Sequence, residues 1–304
     1  MKGIKKLIPY IGLALIILLF GVLTQGKLLT LRNLKLVFNQ AVVLIIASTG
    51  VAFVMAQGSL DLSQGSLLGI TGAMTATAAA LHPGLALPMA LLTGFAVGLI
   101  NGSLLAFLKI PSFIVTLCVL FVLRGLTVIA THAGSIPVPM EMLAFDSYDI
   151  KVTLLVLILA GAYYLFNYTQ TGKGMRAIGS GEVAARYSGV PVERLKVTAY
   201  LISGTLCGLC GWLNVVRTGA ADSKTGLLLE LDILTALVLG GMPLTGGSGA
   251  KLQSAVVGGL MLALLGNGMV LVGIMAELQQ AVKGVIFLLA VYLSFERESA
   301  VLIK

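Results

Sequence analysis

Apolar residues occupy this chain in long blocks, separated by short breaks rich in glycine, proline or charge. The blocks fall at about 7–23, 36–57, 64–81, 84–108, 111–131, 152–168, 198–218, 229–246, 252–273 and 277–294. Each approaches the roughly 20 residues that a helix needs to cross a bilayer. Backbone groups in lipid find partners only within their own segment, so every block is expected to be helical. The pattern predicts an all-α polytopic membrane protein with about ten transmembrane helices, forming one domain over 1–304.

Two of the breaks resemble each other. "GSLDLSQGS" (58–66) aligns without gaps with "GGMPLTGGS" (240–248). The alignment pairs Gly58 with Gly240, Leu62 with Leu244, Gly65 with Gly247 and Ser66 with Ser248. Each copy follows one apolar block and precedes another, which predicts an internal duplication with broken, glycine-rich segments.

Composition sharpens the class. Hydrophobic residues make up 58% of the chain, charged residues 11%, and the mean hydropathy is +1.03. A soluble domain carries about a quarter charged residues, so a water-soluble globule is excluded. The opening "MKGIKKLIPYIGLALIILLFGVL" has the basic start and apolar run of a signal peptide. Its run is long and no small-x-small cleavage site follows, so it reads as a retained first helix.

A net charge of +8 could point to nucleic acid, but lipid-facing helices offer no basic groove. The excess reads instead as topology signal and contact with anionic lipid. With the N-terminus inside, ten spans place Lys2, Lys5, Lys6, Lys109, Lys173, Arg176, Arg186, Arg194, Lys196, Lys251, Arg297 and Lys304 on the cytoplasmic side. Lys27, Arg32, Lys35, Lys151 and Lys224 fall outside. That bias favours both termini in the cytoplasm. The three basic residues of 24–35 are expected on a short interfacial helix.

Of the two large loops, the outer (132–151) is net acidic and the inner (169–197) is the most basic part of the chain. Within the inner loop, "GEVAARYSG" reads as a short helix. Ser180 can cap it, Glu182 faces Arg186 one turn on, and Gly189 before Val190 and Pro191 stops it. Two turns are marginal unless something packs against them, which makes this a docking candidate as well as a possible solvated connector.

Asp61 is the only charged residue between Leu36 and Leu108. "DLSQ" has capping-box spacing, so its carboxylate can accept from amides opening the next helix, with Gln64 three residues on. A structural cap and a direct role in a pathway both remain open. Asn101, Arg124, Asn214, Asn267, Glu277, Gln279, Gln280 and Lys283 are further polar residues within apolar blocks; such residues often serve helix packing alone. Cys118, Cys207 and Cys210 read as small packing residues. His82 and His132 are isolated and form no metal cluster. "GGSGAKL" lacks the lysine-hydroxyl ending of a phosphate loop, and no nucleophilic triad appears. The chain is expected to do no covalent chemistry itself.

At this point a resemblance emerges. "SLDLSQGSLLGITGA" resembles the motif that usually reads Gly-Ile-Asp-Leu-Ser-Val-Gly-Ser in sugar permeases of bacterial ABC importers, the ribose, xylose, arabinose and galactofuranose group. "PSFIVTLCVLFVLRGL", "GKGMRAIGSGEVAARYSGV" and "ELDILTALVLGGMPLTGGSG" resemble further landmarks in the same order, so the likeness covers about 36–294. Leu60 and Gln64 depart from the usual isoleucine and valine.

The resemblance implies a multi-pass permease subunit of the bacterial inner membrane. It implies a second permease copy, identical or closely related, an extracytoplasmic sugar-binding protein, and an ATP-binding cassette ATPase that binds ATP and Mg²⁺. Ser180, Glu182, Ala185, Arg186 and Gly189 would then belong to a coupling helix seated on the ATPase. The two breaks would line the central path, with Ser59, Asp61, Ser63, Thr245 and Ser248 as weak partners for a hydroxylated substrate. The competing expectation is that the breaks only turn the chain at the cytoplasmic edge. Rival functions are a permease for branched-chain amino acids or nucleosides, and an ion-coupled secondary transporter using Asp61.

Overall fold

The structure is a computed structural model that describes residues 2–294. Arg297 and Lys304, two charges in the orientation count, lie outside the described residues. Helices account for most of it: α1 (Lys2–Leu23), α2 (Leu31–Ala56), α3 (Gln64–Leu81), α4 (Ala86–Phe107), α5 (Ser112–Ala130), α6 (Tyr148–Tyr168), α7 (Gln170–Ser180), α8 (Glu182–Tyr187), α9 (Val192–Thr218), α10 (Leu229–Leu239), α11 (Gln253–Val272) and α12 (Ala276–Ser294). Among the described residues, six helices are long and apolar enough to cross a membrane: α2, α4 with the turn before it, α5, α6, α9 and α11.

The remaining expected spans are helical but shorter or less apolar. The block at 229–246 is corrected most: α10 has 11 residues, about 16 Å at 1.5 Å per residue, roughly half a hydrocarbon core. Gly240, Gly241 and Pro243 end it, and the chain continues as turns to α11. The interfacial helix expected at 24–35 is only a 3-10 turn, Lys27–Leu29; Arg32 and Lys35 already belong to α2. The inner loop holds two helices where one was expected. Gly172 and Gly174 weaken the local signal for α7, but they let it press against the Phe166 carbonyl and the Leu195 side chain.

The bundle has two distinct ends. At one, strands β1 (Ser135–Pro137) and β2 (Ala220–Asp222) pair antiparallel, Ile136 opposite Ala221, joining the loops after α5 and α9. We call this the sheet end. At the other, the loop end, the C-termini of α2, α6 and α10 meet α7, α8 and the start of α9.

Helix α9 lies at the centre, packed on α2, α3 and α4. Glycines make its approach to α4 possible. Gly94, Gly98 and Gly102 form one stripe on α4, and a Cβ at Gly94 or Gly98 would strike the carbonyl of Gly204 or Tyr200 on α9. Backbones in such close contact gain packing that lipid cannot supply. Around this centre Tyr200, Phe53 and Phe166 are fully buried, with the two phenylalanine rings edge to face at 5.3 Å. Helices α5 and α6 lie at the periphery with few of their side chains buried.

Candidate functional site

The first break begins with a left-handed glycine. Gly58, at φ +75°, closes α2: its amide donates to the Met55 carbonyl and the Ser59 amide donates to the Val54 carbonyl. This 6→1 and 5→2 pairing is the Schellman stop, which glycine adopts without a Cβ penalty.

Asp61 follows and is 2% exposed. Its Oδ1 accepts from the Ser63 amide (3.0 Å) and hydroxyl (2.6 Å). Its Oδ2 accepts from Gln64 Nε2 (2.6 Å) and the Ser203 hydroxyl (3.4 Å). Asn101 Nδ2 donates to the Ser63 hydroxyl at 2.9 Å, and Gln64 Nε2 also reaches Ser203 at 2.9 Å. The Tyr200 hydroxyl donates to the Leu60 carbonyl at 2.8 Å. One carboxylate thus ties the start of α3 to α4 and α9.

The capping box takes a different form from the one expected. Asp61 is not the N-cap of α3, which opens at Gln64; the N-cap Ser63 makes no side-chain cap bond, and Gln64 reaches the Asp61 carboxylate instead of its amide. Asp61 accepts two residues on, as an Asx turn does. Removing a carboxylate from water costs several kcal/mol; four donors, each in a charge-assisted bond, offset that cost.

The second break carries the same stop. Gly241, at φ +88°, donates to the Val238 carbonyl, and Met242 donates to the Leu237 carbonyl. The helix ends therefore pair Gly58 with Gly241, one residue away from the gapless alignment, which paired Gly58 with Gly240. Pro243 has no acceptor side chain; its carbonyl accepts from the Gly246 amide and closes a turn where the first break has the Asp61 network.

The two breaks meet. Gly58 lies against the Thr245 carbonyl, and Gly246, at φ +70°, lies against the carbonyls of Met55 and Ala56. The end of α7 completes the junction, with Gly179 pressed on Ala56 and Gly247. Ser180 does not cap α8, contrary to expectation. It is the last residue of α7; its hydroxyl donates to the Arg176 carbonyl (3.0 Å) and accepts from the Ser248 amide (3.1 Å). Gly181 stands at the α8 N-cap without a side-chain bond. Ser59, Asp61 and Ser63 are buried, whereas Thr245 and Ser248 are exposed at the loop end. The five side chains do not converge on one cavity.

Helix α8 is held by charge. Glu182 accepts from Lys196 at 2.8 Å and from Arg186 at 3.5 Å, while Arg186 meets Glu193 at 2.6 Å. The first α9 turn, through its own backbone amide, and then Arg186 hold the Glu193 carboxyl below the usual range. Glu193 in turn raises Arg186. Ala185 turns inward and is buried, and Gly189, at φ +79°, closes the helix as the sequence pattern indicates. Outward point two residues that the sequence analysis passed over: Val183, 68% exposed, and Tyr187, 89% exposed. Their i, i+4 spacing was the available signal.

Other polar residues serve packing. Arg124 donates to the carbonyls of Thr225 (2.9 Å) and Gly226 (3.2 Å), fastening the segment before α10 to α5. Asn267 accepts from Asn33 at 2.8 Å, joining α11 to α2. Cys207 and Cys210 donate to the carbonyls of Gln64 and Val43.

Comparison with known proteins places these features in context. Residues 33–291 match the family described as the branched-chain amino acid transport system / permease component. The ribose import permease protein RbsC of Escherichia coli (strain K12) is 32% identical, covering 94% of this chain and 93% of its own. The L-arabinose ABC transporter permease protein AraH of Azospirillum brasilense is 34% identical over 95% and 88%. The xylose transport system permease protein XylH of Haemophilus influenzae is 29% identical over 96% of each. No solved structure matches the chain. The family match runs from the start of α2 into α12, across both breaks and the α7–α8 corner, and the chain belongs to this family of membrane transport permeases.

Proposed function

We propose that the chain is the transmembrane subunit of an ATP-driven importer and that its cargo is a pentose-class sugar. The observation that carries this is the near end-to-end alignment with permeases named for ribose, L-arabinose and xylose. The chain crosses the bacterial inner membrane about ten times with both termini in the cytoplasm. The loop end faces the cytoplasm and the sheet end faces the binding protein. The shared helix stop at Gly58 and Gly241 supports a duplicated architecture. A second permease copy completes the path, and ATP and Mg²⁺ are bound by the partner ATPase.

Helix α8 is the ATPase seat. Glu182, Arg186 and Gly189 fix its pose, Ala185 anchors its inner face, and Val183 and Tyr187 present an apolar face outward. Ser180 belongs to the same machinery as the tie from α7 to the second break. Ser59, Asp61 and Ser63 scaffold the first break, and Thr245 and Ser248 form the rim of the second. The family description favours one second reading, branched-chain amino acids as cargo.

Uptake of labelled ribose, xylose, L-arabinose and leucine by cells lacking this chain, with and without its gene restored, tests the cargo. Restoration of pentose uptake alone is expected. Restoration of leucine uptake alone replaces the sugar with the amino acid.

A further inference from the structure

A cavity of about 310 Å³ opens near the sheet end among α2, α9, α10, α11 and α12. Its floor is apolar, with Val43, Leu44 and Leu262 among its lining. Its wall is polar: Gln40 from α2, Asn214 and Arg217 from α9, Asp232 from α10 and Lys283 from α12. Small-molecule sites are commonly about 300–1,000 Å³, mostly apolar with a few placed polar groups. This cavity stands at the lower end of that range.

Its hydrogen-bonding capacity is largely unspent. Gln40 makes no side-chain hydrogen bond among the described residues, so one full amide, donor and acceptor, is available. Asn214 uses only its oxygen, accepting from Arg217 at 3.3 Å, which leaves its amide nitrogen. Arg217 spends a second nitrogen on the Asn39 carbonyl at a long 3.4 Å. Lys283 donates to both oxygens of Asp232, at 3.0 and 2.8 Å, and bridges α12 to α10 at the cavity edge.

We propose that this cavity is where the membrane domain contacts its cargo, and that the cargo there is a small neutral polyol, held by Gln40, Asn214 and Arg217 beside the Asp232–Lys283 pair. The assignment rests on the sugar-permease function proposed above. The Gln40 amide offers a donor and an acceptor, while the Asn214 amide nitrogen and the Arg217 guanidinium offer donors, and hydroxyls can pair with both kinds of group. The single carboxylate is already neutralised by Lys283, so no free acid remains to take the ammonium of an amino acid. No aromatic side chain lines the cavity to give a ring a stacking face. Weak binding follows, as a route requires. The Asp232 wall also belongs to α10, the helix that ends in the second break against α7.

The test uses the whole importer, with its ATPase and binding protein, in proteoliposomes supplied with labelled ribose, xylose, L-arabinose or leucine. Gln40→Ala and Asn214→Ala are each expected to lower maximal uptake about tenfold, the factor for one lost hydrogen-bond partner. They should also change the rank order of the three pentoses, which a loss of fold would not do. Assembled complex is measured beside each; if Asn214→Ala assembles poorly, Gln40→Ala decides alone, because that side chain holds nothing else in place. Wild-type pentose uptake with unchanged rate and rank order in Gln40→Ala overturns the cavity assignment and leaves the sugar permease standing. Wild-type uptake of leucine and of no pentose overturns both.

Discussion

At the scale of single residues, Asp61 shows how one buried acid organises three helices. Asp61→Leu would strand the Ser63 amide and hydroxyl and the Ser203 hydroxyl without their acceptor and leave Gln64 Nε2 only its bond to Ser203. Leaving such a network broken costs on the order of 3–5 kcal/mol. Asp61→Asn keeps one acceptor oxygen for Ser63. Gln64 Oε1 has no partner, so a turned Gln64 amide can accept from the new amide nitrogen. Thermal unfolding in detergent should therefore place Asn close to wild type and Leu far below it. The acceptor at 61 was legible because an Asx turn is local chemistry. Asn101 and Ser203 were not, since they come from helices brought beside it only by the packing of α4 and α9. Ser180 was misread for a similar reason: its hydroxyl suits an N-cap locally, but its acceptor lone pair is spent on Ser248, 68 residues away.

At the scale of elements, the corner of α7, α8 and α9 and the junction of the two breaks invite different substitutions. Reversing Glu182 and Arg186 together would set like charges against Lys196 and Glu193, so it would unseat α8 as well as alter its surface. Tyr187→Ser changes only the outward face. It should release the partner ATPase in co-purification and abolish uptake while leaving the unfolding temperature unchanged; retained ATPase would remove α8 as the seat. The Glu193 pKa is lowered by folding, so its contribution is present above the ordinary carboxylate range and is lost as pH falls through the lowered value. Uptake near neutral pH should show no titration from this pair.

The junction offers an internal control. Gly246→Ala drives a Cβ into the Met55 and Ala56 carbonyls at a positive φ, whereas a Cβ at Gly249 meets the Pro243 ring at an ordinary 3.4 Å. The first should abolish uptake and the second preserve it, in assays normalised for inserted protein. The existence of the breaks was readable from their glycines and from Pro243. The shortness of α10 was not, because apolar residues continue past Leu239 and hydropathy does not register where a helix stops.

At the scale of the whole molecule, hydropathy identified the membrane class because lipid enforces helices wherever apolar runs are long. It could not place α9 at the centre, since α5 is as apolar as any helix and lies outside; the glycine stripes on α4 and α9 decide which helices touch. On the proposed function the chain supplies the path, and a separate ATPase seated at the α8 corner supplies the energy. Proteoliposomes holding this chain, its ATPase and the binding protein isolate that claim, with ATP sealed inside or outside and proton and sodium gradients imposed or collapsed. Labelled pentose should enter only with ATP on the ATPase side, and collapsing either gradient should not slow it. Uptake by the chain alone, driven by an ion gradient and unaffected by ATP, would contradict the account and return Asp61 to consideration as a coupling carboxylate.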